Sequence, residues 1–250
     1  MSVSDIETLV TNIEEKRLQH KPELLEQLAN KALEDINAYV VQDRNPQGLD
    51  ALQARVLLLL GFSCLLTGRM EMAAQYTFDS LGLAIHQDTT LLNASVQSQL
   101  GIIFLQLADY NTALDYFEKS LSINRKLNNE EGINKSIANL GGVYSSLGDR
   151  DNAEKFYKQA ELFFEQTRNY PALISVLNNL ASVANTKGQY DKAMAYHEKA
   201  LQLNSLATDN MGLVNTLLNI GDVCINTKQL DIGIEHFTKA WTMAKELNDP

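Results

Sequence analysis

Four side-chain carboxamides occupy one position of a regular series: Gln99, Asn139, Asn179 and Asn219 follow one another at intervals of 40 residues. A carboxamide offers a donor and an acceptor together, so a row of them can pair with the main chain of an extended polypeptide whatever its side chains. The groups that would do covalent chemistry show no such order. His20, His86, His197 and His236 are scattered, and there is no phosphate-cradling Gly-rich loop, HExxH or CxxC pair. Paired acids such as Glu14 with Glu15, Glu130 with Glu131 and Asp149 with Asp151 read as solvated charge at helix ends and faces. Catalysis is not expected within these residues, and neither a cofactor nor a metal is implied. Cys64 and Cys224 lie four periods apart, too far to meet in a linear stack, and read as small core residues. His197 stands where other repeats have a packing aromatic and is expected to be structural, whereas His236 is expected nearer the surface.

The elements that hold the carboxamides follow from the same period. Residues 61, 101, 141, 181 and 221 are Gly, Gly, Gly, Ala and Gly, each preceded by Leu or Ile. A fixed period in this range marks a stack of similar units, each burying its apolar face against the next. Ile137, Leu140, Gly141 and Tyr144 recur at helical spacing. Leu147-Gly148-Asp149 breaks that helix, with Gly148 supplying a left-handed C-terminal residue. A second helix then places Ala153, Phe156, Tyr157 and Ala160 on one face. The break recurs at Gly68, Ala108, Gly188 and Lys228, and acids open the second helix at Glu71, Asp151, Asp191 and Asp231, where the positive dipole end favours them. Each unit is a helix hairpin, A then B. Glycine in a helix interior costs about 1 kcal/mol against alanine, so its recurrence before the carboxy-terminal half of helix A implies a close approach to helix B.

Leu-Gly-x-x-Tyr at 140 to 144, followed by Ala153, Tyr157 and Ala160, resembles the tetratricopeptide pattern, as do Gly-Gln-Tyr-Asp-Lys-Ala (188–193) and Ala-Asp-Tyr-Asn-Thr-Ala (108–113). The resemblance extends from about Leu49 to Asn248 as five units in register. The family's Trp before the Gly and its helix-ending Pro are absent, and the period is 40 residues, against roughly 34 in the usual repeat. The additional residues are expected between helix B and the next helix A. Long repeats of this kind are similar to those of kinesin light chains, Leu-Gly-Asn-rich spindle adaptors, bacterial peptide-sensing regulators, and the sensory arrays of bacterial histidine kinases, cyclases and phosphatases. HEAT and armadillo units share the period but lack this Gly/Ala offset pattern.

The resemblance implies an all-α fold, a right-handed α-α superhelix whose A helices line a concave groove for a peptide or partner protein. Carried over by offset, it puts Gln99, Asn139, Asn179 and Asn219 on the groove wall. Lys135, Ser182, Asn185, Asn215, Asp222 and Asn226 flank them, together with Ser95, Ser98, Gln106, Ser145, Ser146, Ser175 and Asn178. That surface is polar and nearly uncharged. The basic cluster by which chaperone-binding members hold a C-terminal carboxylate is missing, since Lys135 is its one cation. Leu58, Leu59, Phe62 and Leu66 make the first unit apolar, either covered by the preceding helices or open as a ligand pocket. The resemblance also suggests the N-terminal sensory region of a larger bacterial signalling protein of cyclase, kinase or phosphatase type. The contrasting reading is an assembly scaffold or homo-oligomer.

Residues 1–48 fall out of register. They read as two amphipathic helices, Ile6 to Leu18 and Glu23 to Val41, with a loop at 43–48. A degenerate first hairpin or cap is expected, the alternative being a helix folded back into the groove. Residues 49–250 form the five hairpins. Leu247-Asn248-Asp249-Pro250 aligns with segments that lead into the next helix A, so a fragment of a longer protein is expected, its last helix leaving Trp241, Met243 and Ala244 uncovered and available for a homodimer. A net charge of −10 and a pI near 4.9 disfavour nucleic acid. No basic, cleavable leader is evident, and the longest apolar run, Val56 to Phe62, is too short to span a bilayer. The cytoplasm is the expected compartment, and the sequons at Asn93 and Asn134 are expected to be chance matches.

Overall fold

The computed structural model describes residues 3–16, 22–42, 49–84, 90–207 and 210–248, which are helical apart from short turns. They form two compact units, Met1–Ile133 and Asn134–Pro250. Unit 1 contains α1 (Val3–Lys16), α2 (Pro22–Gln42), α3 (Leu49–Leu66), α4 (Met70–Ala84), α5 (Leu91–Gln106) and α6 (Tyr110–Lys126). The helix α7 (Glu130–Ser146) begins just before the boundary, and unit 2 continues with α8 (Arg150–Gln166), α9 (Tyr170–Thr186), α10 (Tyr190–Ala207), α11 (Asn210–Asn226) and α12 (Leu230–Asn248).

The period is made of helix rather than of linker. The helices α7, α8 and α9 have 17 residues each, and only residues 147–149 and 167–169 separate them. The additional length expected between hairpins is therefore distributed over both helices. Each A-to-B turn reverses the chain through one left-handed residue: Gly68, Ala108, Gly148, Gly188 and Lys228 all have positive φ. Around Gly148 the amide of residue 148 donates to the Ser145 carbonyl and that of Asp149 to the Tyr144 carbonyl, which satisfies the end of α7. Asp109 and Asp149 then cap the next helix by accepting from the amides of Thr112 and Asn152. The B-to-A turns use the same device at Asn128 and Arg168, which repetition of glycine alone does not reveal. Ala108, at φ 59°, bears its Cβ in the left-handed region. Ala108→Gly is expected to raise unfolding stability by about 1 kcal/mol, read as a higher urea midpoint, and a lower midpoint would mean that this turn holds no strain.

The recurrent glycine of helix A makes room for a side chain of helix B. A Cβ on Gly101 would lie 2.6 Å from the Phe117 ring, and one on Gly221 would lie 2.5 Å from the Phe237 ring. At Gly141 the ring of Tyr157 would be 3.0 Å away. Where helix B offers a smaller ring, His197, the residue in helix A is Ala181. In the first hairpin helix B offers Thr77, and the space beside Gly61 is shared by the Thr77 hydroxyl and the Gln99 amide. About one turn later on helix B, Ser80 and Ser120 donate to the Ala54 and Ala94 carbonyls across their hairpins at 2.7 and 2.9 Å.

In unit 1, α1 and α2 cover α3. Ile6, Val10, Ile13, Leu25, Ala29, Ala32 and Ile36 pack with Leu52, Val56, Leu59 and Leu60, and Phe62 packs against the same cluster. Of the apolar face expected at the first hairpin, Leu59 and Phe62 are covered in this cluster, Leu58 packs instead with Val96 and Leu100 of α5, and Leu66 is exposed. Arg55 pairs with Glu14 at 2.6 Å and Arg69 with Glu26, fixing α3 and its turn to α1 and α2. By length and composition α3 is apolar enough to cross a membrane, contrary to the reading from its longest unbroken apolar run, but most of it is buried in this core. Loop residues 43–48 lie outside the described residues. The amides of Asn93 and Asn134 are buried, which removes both sequons from reach. Cys64 and Cys224 are each buried and free, and burial raises both thiol pKa values.

In unit 2, lysines zip successive hairpins. Lys187 reaches Asp151 and Glu154 at 2.7 Å, Lys192 reaches Glu154 at 2.6 Å, and Lys199 reaches Glu165 at 2.7 Å. Hydrogen bonds from Lys187 and then Lys192 hold the Glu154 carboxyl down at about 2. On α12, Met243 and Ala244 pack against Val214 and Leu217 instead of lying uncovered, whereas Leu230, Ile234 and Trp241 are exposed.

A carboxamide face on the A helices of unit 2

Asn179, Ser182 and Asn185 share one face of α9, and Asn215, Asn219, Asp222 and Asn226 the matching face of α11. The two helices are neighbours, tied at this face by the Asn226 amide donating to the Asn185 carbonyl oxygen at 3.0 Å. Asn179 and Asn219 are half-buried, so their stems are held while their amides reach solvent. Neither amide has a hydrogen-bond partner among the described residues. Ser182, Asn215, Asp222 and Asn226 are exposed, and the exposed aliphatics Leu218 and Ile225 stand beside Asn219 and Asn226. Amides for a main chain and aliphatic groups for side chains are therefore presented together. Lys135, exposed, and Asn139, half-buried, hold the corresponding positions on α7; each of these two side chains has a further partner in the fold.

Gln99 does not belong to this face. It is buried in unit 1, where its amide donates to the Leu58 carbonyl at 3.1 Å and to the Thr77 hydroxyl at 2.9 Å. The cause lies in the hairpin before it. Thr77 replaces the usual ring, and the Gln99 amide fills the volume that the ring would occupy. The predicted row of four is thus interrupted at its first member.

Asn178, placed by offset beside the groove, is also buried. Its amide donates to the Thr216 hydroxyl on α11 at 2.9 Å, and its carbonyl oxygen faces His197 Nδ1 on α10 at 3.0 Å. Thr216 in turn donates to the Gly212 carbonyl. Because the Asn178 amide is committed as a donor, its oxygen is the acceptor and the neutral His197 ring carries its proton on Nδ1. Burial pushes His197 down to about 4. This buried chain joins α9, α10 and α11 directly beneath Asn179, and it confirms the structural role expected for His197. Only the substitution of His for an aromatic signalled it in the sequence. His236, expected nearer the surface, is half-buried.

Tetratricopeptide-repeat family models match residues 133–205 and 94–127. Residues 94–127 and 133–205 are thus similar to tetratricopeptide repeats. The chain also shares its fold with solved structures of low sequence identity. One is NprR in complex with its cognate peptide NprX, at 17% identity and a TM-score of 0.78, covering 98% of this chain and 69% of that one. A Rap protein complexed with competence and sporulation factor gives 14% identity and a TM-score of 0.76, covering 99% and 76%. BtubC (BKLC) from P. vanneervenii gives 19% identity and a TM-score of 0.67, covering 92% and 93%. No curated protein matches the chain in sequence. The fold class is the all-α arrangement of helix hairpins expected from the repeat.

Proposed function

We propose that the α9–α11 face of unit 2 binds an extended peptide, with α7 contributing through Lys135 and Asn139, and that the chain is the sensing region of a signalling protein. The observation that supports this reading is the pair of half-buried carboxamides, Asn179 and Asn219, on adjacent A helices, neither hydrogen-bonded among the described residues. An amide held at its stem and unpaired at its tip loses little entropy on meeting a peptide bond. Asp222 is the carboxylate of this face and would select against an acidic ligand. The sensing role is supported by likeness in fold to NprR and Rap proteins, whose structures hold peptides.

The test is direct. Peptides of random sequence displayed on phage are selected on the whole chain, and the recovered peptide is titrated by calorimetry into wild type and variants. Asn179→Ala and Asn219→Ala are each expected to weaken binding about tenfold, the size of one hydrogen bond, with the melting temperature unchanged. Unaltered affinity in both variants would remove the face from consideration. Loss of folding in either would make the amides structural.

A second reading rests on Leu230, Ile234 and Trp241, exposed on one face of α12. They would suit self-association, and a solution mass independent of protein concentration would exclude it.

A further inference from the structure

Unit 1 carries a recessed surface of its own. A cleft of about 430 Å³ opens among α2, α3 and α4. Its apolar lining is Leu33, Leu57 and Leu83, with Phe78 exposed at the rim. Asn37 and Gln53 bring carboxamides to it, and neither is hydrogen-bonded among the described residues. Asp79 supplies its carboxylate. One oxygen accepts from Gln75 at 2.9 Å, and no cation pairs with Asp79 among the described residues. The acids of unit 2 that face a neighbouring hairpin, Glu154 and Glu165, are by contrast engaged by lysine.

Gly82 is the telling residue. It lies in α4 with ordinary right-handed backbone, so no turn requires it. A Cβ there would meet nothing within 4 Å, whereas at Gly61, Gly101 and Gly221 it would collide with a packed side chain. Glycine weakens a helix relative to any other residue but proline. Here that weakness gains no packing among the described residues. It does leave the wall of the cleft low enough for another backbone to pass close by.

We propose that this cleft receives an apolar side chain, Leu or Phe, from a partner polypeptide whose backbone crosses Gly82. A basic residue three or four positions away in the partner pairs with Asp79. The three leucines take the apolar group, Asn37 and Gln53 satisfy the partner's main chain, and the unpaired carboxylate sets the charge it accepts. The site is independent of the α9–α11 face.

The probe is an array of 12-residue peptides with a central Leu or Phe and either Arg or Glu at the third and fourth positions to each side, read for binding to the whole chain. The Arg series is expected to bind wild type and the Glu series is not. Gly82→Leu fills the cleft and is expected to weaken the Arg series at least tenfold while the melting temperature holds or rises, so loss of folding cannot imitate the result. Asp79→Lys is expected to exchange the preference, favouring Glu. Equal binding by wild type and Gly82→Leu, or no binding by either series, overturns the proposal. A peptide lost with Asn219→Ala and unaffected by Gly82→Leu sits on the other face and counts against the cleft. A wild-type dimer that Gly82→Leu dissociates would make the occupant a second copy of the chain, and would overturn it as well.

Discussion

Gly101→Ala is expected to lower the stability of unit 1 by about 2 kcal/mol, the size of core overpacking, although alanine is the better helix former by about 1 kcal/mol. The opposition of these two effects makes the experiment decisive. If the recurrent glycine only permitted close helix axes, an added methyl would be absorbed by a small shift and the propensity gain would show. The structure instead puts the methyl 2.6 to 2.9 Å from three carbons of the Phe117 ring. That ring is fully buried. Phe117→Leu removes the ring and opens a void, so it destabilises on its own. The double variant Gly101→Ala/Phe117→Leu is expected to be less destabilised than the sum of the singles by about 1 kcal/mol or more, because the methyl enters the void. Urea unfolding followed by circular dichroism measures all four proteins. A stabilising Gly101→Ala, or strict additivity, would show that the ring does not occupy the glycine's space.

Acidification is expected to remove about 3 kcal/mol of stability through His197 alone. The sign follows from burial. Folding lowers the His197 pKa from 6.5 to about 4, so between those values the unfolded chain binds a proton that the folded chain refuses. The contribution is whole above pH 6.5 and is lost as pH falls through that window, about 2 kcal/mol of it by pH 5. No charged neighbour offsets the cost among the described residues, since desolvation is the cause of the shift. Glu154 falls outside this window: its carboxyl is lowered from 4.5 to about 2, so its contribution disappears only in stronger acid. His197→Gln keeps a donor for the Asn178 oxygen and does not titrate. Its unfolding free energy is expected to change little between pH 6.5 and 4.5, while that of wild type falls steeply. Parallel curves for the two proteins would mean that His197 is not the group responsible.

What the sequence makes legible here is whatever recurs. The left-handed turn residues are read correctly even at Ala108 and Lys228, because the break between two apolar stripes locates them whatever the residue type. The repeat also locates the carboxamide position and its helix. It does not show which carboxamide is free. Gln99 shares the register of Asn179, yet its fate is decided 22 residues earlier by Thr77, whose missing ring leaves space for it. Asn178 and Asn179 are adjacent and chemically alike, and a single step of about 100° around the helix separates a buried link to His197 from an open amide. The glycine period likewise signals close packing without naming the partner, which is the side chain at the facing position of helix B. Gly82 shows the limit from the other side. In the sequence it resembles any glycine, and what sets it apart is empty space around a right-handed backbone, where Gly68, Gly148 and Gly188 combine empty space with positive φ.

Asn179 and Asn219 are proposed to hold the main chain of a bound peptide. Side-chain amide resonances of the whole chain, recorded during titration with a phage-selected peptide and assigned by Asn179→Gln and Asn219→Gln, test it most directly. Both amide pairs are expected to shift in step with binding, and to do so equally for peptides whose side chains differ but whose main chains are intact. Saturation of the protein by peptide with both pairs unmoved would contradict it.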